Sequence, residues 1–338
     1  MTFTVGGDEP VVHVLHDNPE WIGVFERAFA AEGVPLRAWR WDELVLRLNE
    51  EPPPGVYWSR LSASAHTRGV PNAKDAAHAL LAWLESWDRR VVGGSSVAAL
   101  EVSKVAQHVA LRRAGIDVPR TTAITDPHRL LEAAAEYPAP FILKHNQGGK
   151  GLGVRRIDDL CDLSALVDAE VLDMSPDGIM LVQEYLPSRD GSITRAEFVG
   201  GRFAYAVRVD ISDGGFELCP AEACAAPSGA APQFTLRADV GAQHPLIRDY
   251  ERFLRRHRIE IAGIEFVETP DGRVVTYDVN TNTNYHPGVE EAADQPATRG
   301  VARFLGGLLT EAMVEPGRHT TQQAESRSYE LAAFTSPQ

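Results

Sequence analysis

The chain has 338 residues, of which 44% are hydrophobic, and a formal net charge of −14. This length can bury more than one hydrophobic core, and the negative charge argues against nucleic acid or an anionic membrane as a partner. No run approaches the roughly 20 apolar residues of a membrane span, and no secretory signal precedes residue 10. The three cysteines, Cys161, Cys219 and Cys224, are too few for a disulfide framework, so we expect a reducing cytoplasm.

Strands and helices alternate over the first 95 residues. Helical spacing predicts one helix that Asn18 caps, with Pro19 at its first position, and another over residues 72–87. Between and beyond them, short apolar runs predict strands at residues 11–15, 36–39, 56–58 and 91–92. This alternation predicts a parallel α/β sheet.

The rest of the chain mixes helices with longer strands. Helices are predicted over residues 97–114, 126–136 and 245–257, and strands over 119–124, 140–144 and much of 183–210, with a hairpin turn at Gly200-Gly201. Beyond Glu315 the chain is polar and aperiodic, so we expect it to be loosely ordered.

Two apolar-rich runs, residues 263–268 and 273–280, flank a Pro-Asp-Gly turn and predict a β-hairpin. If Glu268 pairs with Arg273, Glu265 lies opposite Thr276. The other side of the hairpin is then apolar and consists of Ile264, Phe266, Val275, Tyr277 and Val279.

In that register three oxygen-bearing side chains share one face of the hairpin. They are Glu265, Asp278 and Asn280. Carboxylate and amide oxygens are the ligands that Mg²⁺ prefers. The alternative is a solvated strand face with chance acidic residues.

A glycine-rich loop follows the predicted strand that ends at Lys144. Its glycines are Gly148, Gly149, Gly151 and Gly153. Such glycines let the backbone aim N–H groups at a phosphate, and Lys144 and Lys150 add positive charge. The sequence matches neither a Walker A loop nor a dinucleotide fingerprint, and Val154-Arg155-Arg156-Ile157 opens no helix. We therefore expect the loop to join two antiparallel strands and to bind phosphate, with a flexible turn as the alternative.

Further basic residues lie apart in the sequence. Lys104 lies on a predicted helix, where a solvated lysine is the alternative, and Arg195 and Arg208 flank the Gly200-Gly201 turn. Between them, a predicted strand ends at Gln183-Glu184-Tyr185-Leu186, just before Pro187. Such a junction could pair its backbone with an adenine edge.

These motifs, in this order, resemble the ATP-grasp superfamily, and above all its RimK-type glutamate ligases and related carboxylate–amine ligases. The resemblance covers residues 90–315. It implies an α/β (α+β) fold with four parts: a pre-ATP-grasp α/β domain over 1–95, a central subdomain over 96–185, a C-terminal antiparallel-sheet subdomain over 186–315 and a polar tail over 316–338.

The resemblance also implies roles at a nucleotide site. Lys104 and Lys144 would contact the phosphates of ATP, and the lid over them would consist of Gly148, Gly149, Lys150, Gly151 and Gly153. Adenine would lie at the hinge formed by Gln183, Glu184, Tyr185 and Leu186. The acidic residue that binds ribose in RimK-type enzymes is replaced by Ile193, and Asp190 is its candidate substitute.

Metal, catalytic and substrate residues are implied in the same way. Two Mg²⁺ ions, with Mn²⁺ as a substitute, would be held by Glu265, Asp278 and Asn280. Arg208 resembles the arginine that steadies the γ-phosphoryl group, Arg195 matches the arginine of the Asp-Ile-Arg pattern, and Lys144 assists them. Candidate substrate contacts are Arg60, Ser62, His66, Arg68, Asn282 and Asn284.

The chemistry implied is attack of a carboxylate on ATP, followed by attack of an amine on the resulting acyl-phosphate. The partners would be a small-molecule acid and amine, with no nucleic acid and no membrane, and a homo-oligomer is compatible with the sequence. Two alternatives stay open: an ATP-grasp-type kinase that phosphorylates a hydroxyl, and a catalytically silent nucleotide-binding module. His286 is a candidate base towards the amine, although a lone histidine is more often structural.

Overall fold

The computed structural model describes residues 9–149, 151, 153–169, 171–212 and 233–314. Lys150, Cys219, Cys224 and the tail over 316–338 lie outside the described residues. Within the described ranges, no helix has both the length and the apolar character needed to cross a membrane.

The predicted parallel sheet is present at the N-terminal end. Its four strands run in the order β2–β1–β3–β4, and they are β1 (Val11–His16), β2 (Leu36–Arg40), β3 (Gly55–Arg60) and β4 (Arg90–Val92). Two helices follow strands of this sheet, α1 (Ile22–Ala31) and α2 (Ala73–Ser86). The Asn18 side chain accepts a hydrogen bond from the Glu20 N–H, so it caps a short 3-10 turn that leads into α1.

The single helix predicted over residues 97–114 is two helices, α3 (Ser95–Glu101) and α4 (Lys104–Arg113). Ser103 interrupts them because its extended backbone and hydroxyl cap α4, accepting the Ala106 N–H at 3.2 Å. Lys104 is therefore the first residue of α4 rather than a residue in the middle of a helix.

A second sheet forms the central part of the fold. Its antiparallel strands run in the order β5–β8–β6–β7, and they are β5 (Thr121–Ile124), β6 (Phe141–His145), β7 (Arg155–Ile157) and β8 (Met180–Glu184). Two short helices pack against it, α5 (Leu130–Ala134) and α6 (Leu160–Asp168). The glycine-rich loop joins antiparallel strands β6 and β7, as the sequence predicts.

A third sheet of five antiparallel strands follows. The order is β11–β10–β9–β12–β13, for β9 (Ser192–Val199), β10 (Arg202–Asp210), β11 (Phe234–Leu236), β12 (Ile261–Glu268) and β13 (Val274–Asn280). The predicted turn at Gly200-Gly201 joins β9 to β10, and both glycines have positive φ, +61° and +68°, which only glycine adopts freely. The remaining helices are α7 (Pro245–Arg256), α8 (Pro287–Ala292) and α9 (Ala297–Val314).

The five-stranded sheet buries both of its faces. On one, which we call the α9 face, Val207 and Val267 share a core with Val14 of the first sheet and Leu305 of α9. On the other, the α7 face, Phe198 and Phe266 pack with α7 through residues that include Tyr250. Side chains on successive residues of a strand therefore enter different cores.

The register predicted for the β12–β13 hairpin is wrong. Glu268 pairs with Val274 rather than with Arg273, which shifts the register by one residue. Glu265 lies opposite Asp278, whereas Phe266 lies opposite Thr276, so one extra residue, Tyr277, forms a β-bulge and adds a second shift. The bulge places Tyr277 and Asp278 on the α9 face together. Thr276 points to the α7 face instead, where its hydroxyl lies 2.5 Å from that of Tyr250.

Candidate functional site

A cavity of about 320 Å³ lies between the central sheet and the α9 face of the five-stranded sheet. Many of the residues predicted as a site line it: Lys104, Lys144, Gly148, Gly149, Gly151, Gln183, Glu184, Tyr185, Leu186, Arg195, Glu265, Asp278 and Asn280. Residues that are far apart in the sequence therefore meet in one place. The cavity also contains residues that the sequence analysis missed, among them Glu101, Arg156 and Ser188.

Opposite charges alternate along one wall of this cavity. The Lys104 ammonium lies 2.5 Å from Asp278 Oδ1, and Arg195 Nη1 lies 3.1 Å from Glu265 Oε1. Arg195 also donates through Nε to Glu197 Oε1 at 2.7 Å. All of these side chains are buried or mostly buried, and in such surroundings an ionised group without a partner costs several kcal/mol.

The electrostatics of the wall favour an ionised Asp278. Burial by itself raises the pKa of Asp278, but Lys104 beside it lowers that pKa overall. Burial raises the pKa of Glu265, and the nearby Asp278 charge adds to this rise against the effect of Arg195. Burial and the neighbouring Lys104 charge lower the pKa of Lys144 to about 7. The cavity thus concentrates groups whose protonation responds to a charged ligand.

The donors that could hold a metal are two carboxylates and one amide. In the described part of the chain, no group of three or more His, Cys, Asp or Glu side chains is arranged to hold a metal ion. The set Glu265, Asp278 and Asn280 is instead mixed, and Asn280 Oδ1 accepts the Asn282 N–H at 3.0 Å. An all-oxygen set of this kind fits a hard cation such as Mg²⁺.

Two helix side chains hold strand β13 in place. Gln107 of α4 accepts the Val279 N–H at 3.1 Å and donates to the Val279 carbonyl at 2.8 Å. Glu101 of α3 accepts the N–H of Thr281 at 2.6 Å. Because Val279 and Thr281 alternate with Asp278 and Asn280, these bonds fix the backbone on both sides of Asn280. No local pattern indicates these contacts, since they join residues 172 and 180 positions apart.

The start of α4 is fixed by the strand that leads into the glycine-rich loop. Asn146 Oδ1 accepts the Val105 N–H at 2.8 Å, and the Asn146 carbonyl accepts the Lys104 N–H at 3.1 Å. This contact sets the position of Lys104 relative to Lys144, two residues before Asn146. The N-terminal end of α4 also carries a partial positive charge that favours an anion nearby.

The predicted hinge lines the cavity, but its carboxylate is already bound. Both oxygens of Glu184 accept hydrogen bonds from Arg273, at 3.1 and 3.2 Å, and the Arg120 N–H also donates to Glu184 at 2.8 Å. This carboxylate is therefore held by the protein itself, and the Glu184 N–H also donates to the Arg120 carbonyl, at 3.0 Å. Two other lining residues contact each other, since the Arg156 guanidinium lies 4.7 Å from the centre of the Tyr185 ring.

Arg208 and Asp190 do not line the cavity. Arg208 lies opposite Thr194 on β9, next to the residue Arg195, and so projects from the α7 face. It is partly exposed and pairs with Asp190 at 2.5 Å. Asp190 also accepts the Ser192 hydroxyl at 2.7 Å. Ser188, by contrast, lines the cavity beside Ile193.

The glycine-rich loop approaches two other parts of the chain. Gly153 has a φ of +72°, and a Cβ atom there would lie 2.5 Å from the ring of His145. A Cβ atom on Gly149 would lie 3.4 Å from the Ser64 hydroxyl, so the segment that follows β3 reaches the loop. The loop therefore needs glycine at Gly153, for its backbone and for its closeness to His145, whereas a Cβ atom on Gly149 would make an ordinary van der Waals contact.

Several solved structures share this architecture. The RimK domain protein ATP-grasp from Sphaerobacter thermophilus DSM 20745 is 23% identical, with 87% of this chain and 98% of that chain covered and a TM-score of 0.63. The ATP-grasp ligase PsnB, complexed with a phosphomimetic variant of its minimal precursor, Mg and ADP, is 16% identical, with 87% and 97% covered and a TM-score of 0.63. The D-cycloserine synthetase DcsG is 15% identical, with 88% and 99% covered and a TM-score of 0.58. The chain has the ATP-grasp fold. No protein-family model and no curated protein matches it.

In this ATP-grasp fold, the predicted substrate residues lie between the first sheet and the segment after β13. Arg60 is almost fully buried, donates to Asn284 Oδ1 at 2.7 Å and has its guanidinium 4.5 and 4.7 Å from the ring centres of Phe25 and Trp58. Burial lowers the pKa of Arg60 to about 10. None of Arg60, Ser62, His66, Arg68, Asn282 and Asn284 lines the cavity described above.

Other predicted substrate residues make contacts of their own. Arg68 pairs with the buried Asp17, and the Ser62 hydroxyl lies 2.9 Å from that of Ser64. The His286 ring stacks on Phe234 with the ring centres 4.7 Å apart, which is a packing role. Cys161 is exposed.

Proposed function

We propose that the chain is an ATP-dependent carboxylate–amine ligase that uses an acyl-phosphate intermediate. The observation that carries the proposal is the single cavity in which Lys104, Lys144 and Arg195 meet Glu265 and Asp278. Phosphoryl transfer depends on positioning and charge stabilisation. Cations and metal-binding oxygens in one cavity are the groups that such a reaction needs.

The nucleotide would occupy the cavity along its length. Its adenine would lie among apolar side chains that include Ile142, Leu186 and Ile211, with its edge against the hinge backbone. Glu184 would act indirectly, by fixing the hinge through Arg273. Ser188 becomes a candidate for the ribose hydroxyls, because it lines the cavity and Asp190 does not.

The triphosphate would lie between Lys144, Lys104 and the glycine-rich loop. Glycine N–H groups supply donors, the start of α4 supplies a partial positive charge, and the two ammonium groups supply full charges. A bound phosphate would also stabilise the charged form of Lys144, whose pKa is lowered in the absence of an anion. The loop, lying beside Ser64, would close over the phosphates and keep water from the intermediate.

Glu265, Asp278 and Asn280 would hold Mg²⁺. When bound, the metal would neutralise charge on the phosphate oxygens that take part in the transfer. Lys104 would then give up its bond to Asp278 and turn towards phosphate. Arg195, which lies in the cavity, would steady the transferred phosphoryl group. Arg208 could share this role only if its side chain left Asp190 and moved to the other face of the sheet.

The acid would be an amino acid or a small peptide, with its carboxylate attacking the γ-phosphorus. Its far end would extend towards the segment after β3, where Arg60 and Arg68 lie. By their descriptions, PsnB has been complexed with a precursor peptide and DcsG is a D-cycloserine synthetase, so ligases with this fold handle both peptides and small molecules. We therefore place the choice of substrate in this segment rather than in the nucleotide cavity.

The proposal is tested by trapping the intermediate. The chain is incubated with Mg-ATP, hydroxylamine and each amino acid in turn, and ADP and hydroxamate are measured. A ligase forms ADP and hydroxamate together in the presence of at least one of the amino acids. ADP formed with a stable phosphorylated hydroxyl compound and no hydroxamate would identify a kinase, and nucleotide binding without ADP would identify a silent module. Arg195→Met should abolish the reaction, and Arg208→Met serves as its matched control on the opposite face.

A further inference from the structure

Glu101 is a buried carboxylate inside the cavity that the nucleotide site does not use. It ends helix α3, is only 7% exposed and lines the cavity near Lys104 and Asp278. Burial raises its pKa to about 7, although the Lys104 charge opposes this rise.

Only one of the two Glu101 oxygens is engaged. Oε2 accepts both the N–H and the hydroxyl of Thr281, at 2.6 and 2.8 Å, whereas Oε1 accepts no hydrogen bond from any residue that the structure describes. The nearby ammonium of Lys104 is directed to Asp278. A buried carboxylate with one oxygen fixed and the other directed to no protein donor is costly unless a ligand donates to it.

The proposed reaction lacks a group for one of its steps. An amine is protonated at neutral pH and has no lone pair until it loses a proton. A base within hydrogen-bond reach of the amine is therefore needed. His286 stacks on Phe234 and does not line the cavity, so it leaves this role unfilled.

We propose that Glu101 binds the incoming ammonium group through Oε1 and takes its proton, an inference that rests on the ligase function proposed above. The N–H bond breaks and an O–H bond forms on Glu101. The nitrogen lone pair then attacks the carbonyl carbon, the bond from carbon to the phosphate oxygen breaks, and phosphate leaves with that electron pair and the second amine proton. Glu101 returns its proton to water.

Two nucleophiles distinguish a Glu101 that acts as a base from a Glu101 that only positions other groups. Hydroxylamine is mostly neutral at pH 7 and needs no base, whereas glycinamide is mostly protonated and needs one. In Glu101→Gln, which keeps an oxygen for Thr281, we expect amide formation with glycinamide to fall by about 10²–10⁴-fold while hydroxamate formation is unchanged. Thr281→Val, which removes one bond to Oε2, should affect both products alike. Glu290→Gln is the control for loss of a carboxylate outside the cavity.

The outcomes are distinct. If Glu101→Gln loses both products equally and keeps its unfolding midpoint, Glu101 is a positioning residue and the inference is overturned. If Glu101→Gln keeps both products, the inference is overturned as well. If Glu101→Gln fails to fold, Glu101→Asp replaces it, and the inference then requires slower amide formation with normal hydroxamate formation. Absence of hydroxamate in the unaltered chain would instead overturn the ligase function.

Discussion

Replacing Arg195 with methionine should destabilise the protein strongly, because the change removes the shared partner of two buried carboxylates. The Arg195 side chain is 4% exposed and its partners Glu197 and Glu265 are 2% and 9% exposed. Removal of one member of a buried ion pair leaves a desolvated charge and costs about 3–5 kcal/mol. We therefore expect Arg195→Met to lower the free energy of unfolding by that amount.

The neighbouring strand supplies the matched control. Arg208 also pairs with a carboxylate, Asp190, but the two side chains are 41% and 42% exposed. Exposed ion pairs contribute about 0.2–1 kcal/mol to stability. The free energy of unfolding of Arg208→Met should therefore be close to that of the unaltered protein. Both variants remove the same charge from the same sheet, and only burial separates them.

The assay is urea unfolding followed by tryptophan fluorescence, for which the chain has six tryptophans. A loss of less than about 1 kcal/mol in Arg195→Met would refute the argument, because it would fall in the range of an exposed pair. An equal loss in both variants would refute it as well. The free energy of unfolding of Arg195→Lys should lie between those of Arg195→Met and Arg208→Met, since lysine keeps the charge but lacks the planar group that contacts several partners.

Three further predictions concern pH, the loop and the metal. Burial lowers the pKa of His108 from 6.5 to about 3, so its contribution to stability is complete above pH 6.5 and is lost as the pH falls towards 3. At pH 5 this lowers the free energy of unfolding by about 2 kcal/mol relative to pH 7. Urea unfolding at the two pH values should show this difference in the unaltered protein and a difference smaller by that amount in His108→Phe. Gly153→Ala should cost more stability than Gly178→Ala, because both have positive φ but only Gly153 would clash, with the His145 ring; equal melting temperatures would count against this. Asp278→Ala and Asn280→Ala should abolish ATP turnover with the circular dichroism spectrum retained, and full activity at saturating Mg²⁺ would contradict the metal assignment.

Much of the fold could be predicted because local patterns determine it. The parallel sheet, the Asn18 cap, the hairpin at Gly200-Gly201 and the strands around the glycine-rich loop all follow from periodicity and turn residues. The break between α3 and α4 was missed because the helical pattern continues through Ser103, and Asn146, which accepts the N–H groups of Lys104 and Val105, lies about 40 positions further along the chain. The bulge at Tyr277 was missed because an alternating pattern fits two registers, and the packing of Thr276 against Tyr250 decides between them.

The candidate site likewise contains residues that sequence motifs indicate and residues that only tertiary contacts bring together. The sequence located most residues that line the cavity, because glycines, lysines and oxygen ligands stand in recognisable order. It could not show that Arg208 lies on the opposite face, since that depends on strand pairing. It also missed Glu101 and Gln107, whose partners Thr281 and Val279 lie on a strand far along the chain.

The central claim is that ATP activates a carboxylate, and transfer of an oxygen label tests it most directly. The acid found by hydroxylamine trapping is labelled with ¹⁸O in its carboxylate and incubated with Mg-ATP, glycinamide and the protein. Mass spectrometry then measures the label in the released phosphate. An acyl-phosphate intermediate predicts that one labelled oxygen per turnover appears in phosphate, because the amine breaks the bond between carbon and that oxygen. Release of unlabelled phosphate, with both labels retained by the acid, would contradict the account.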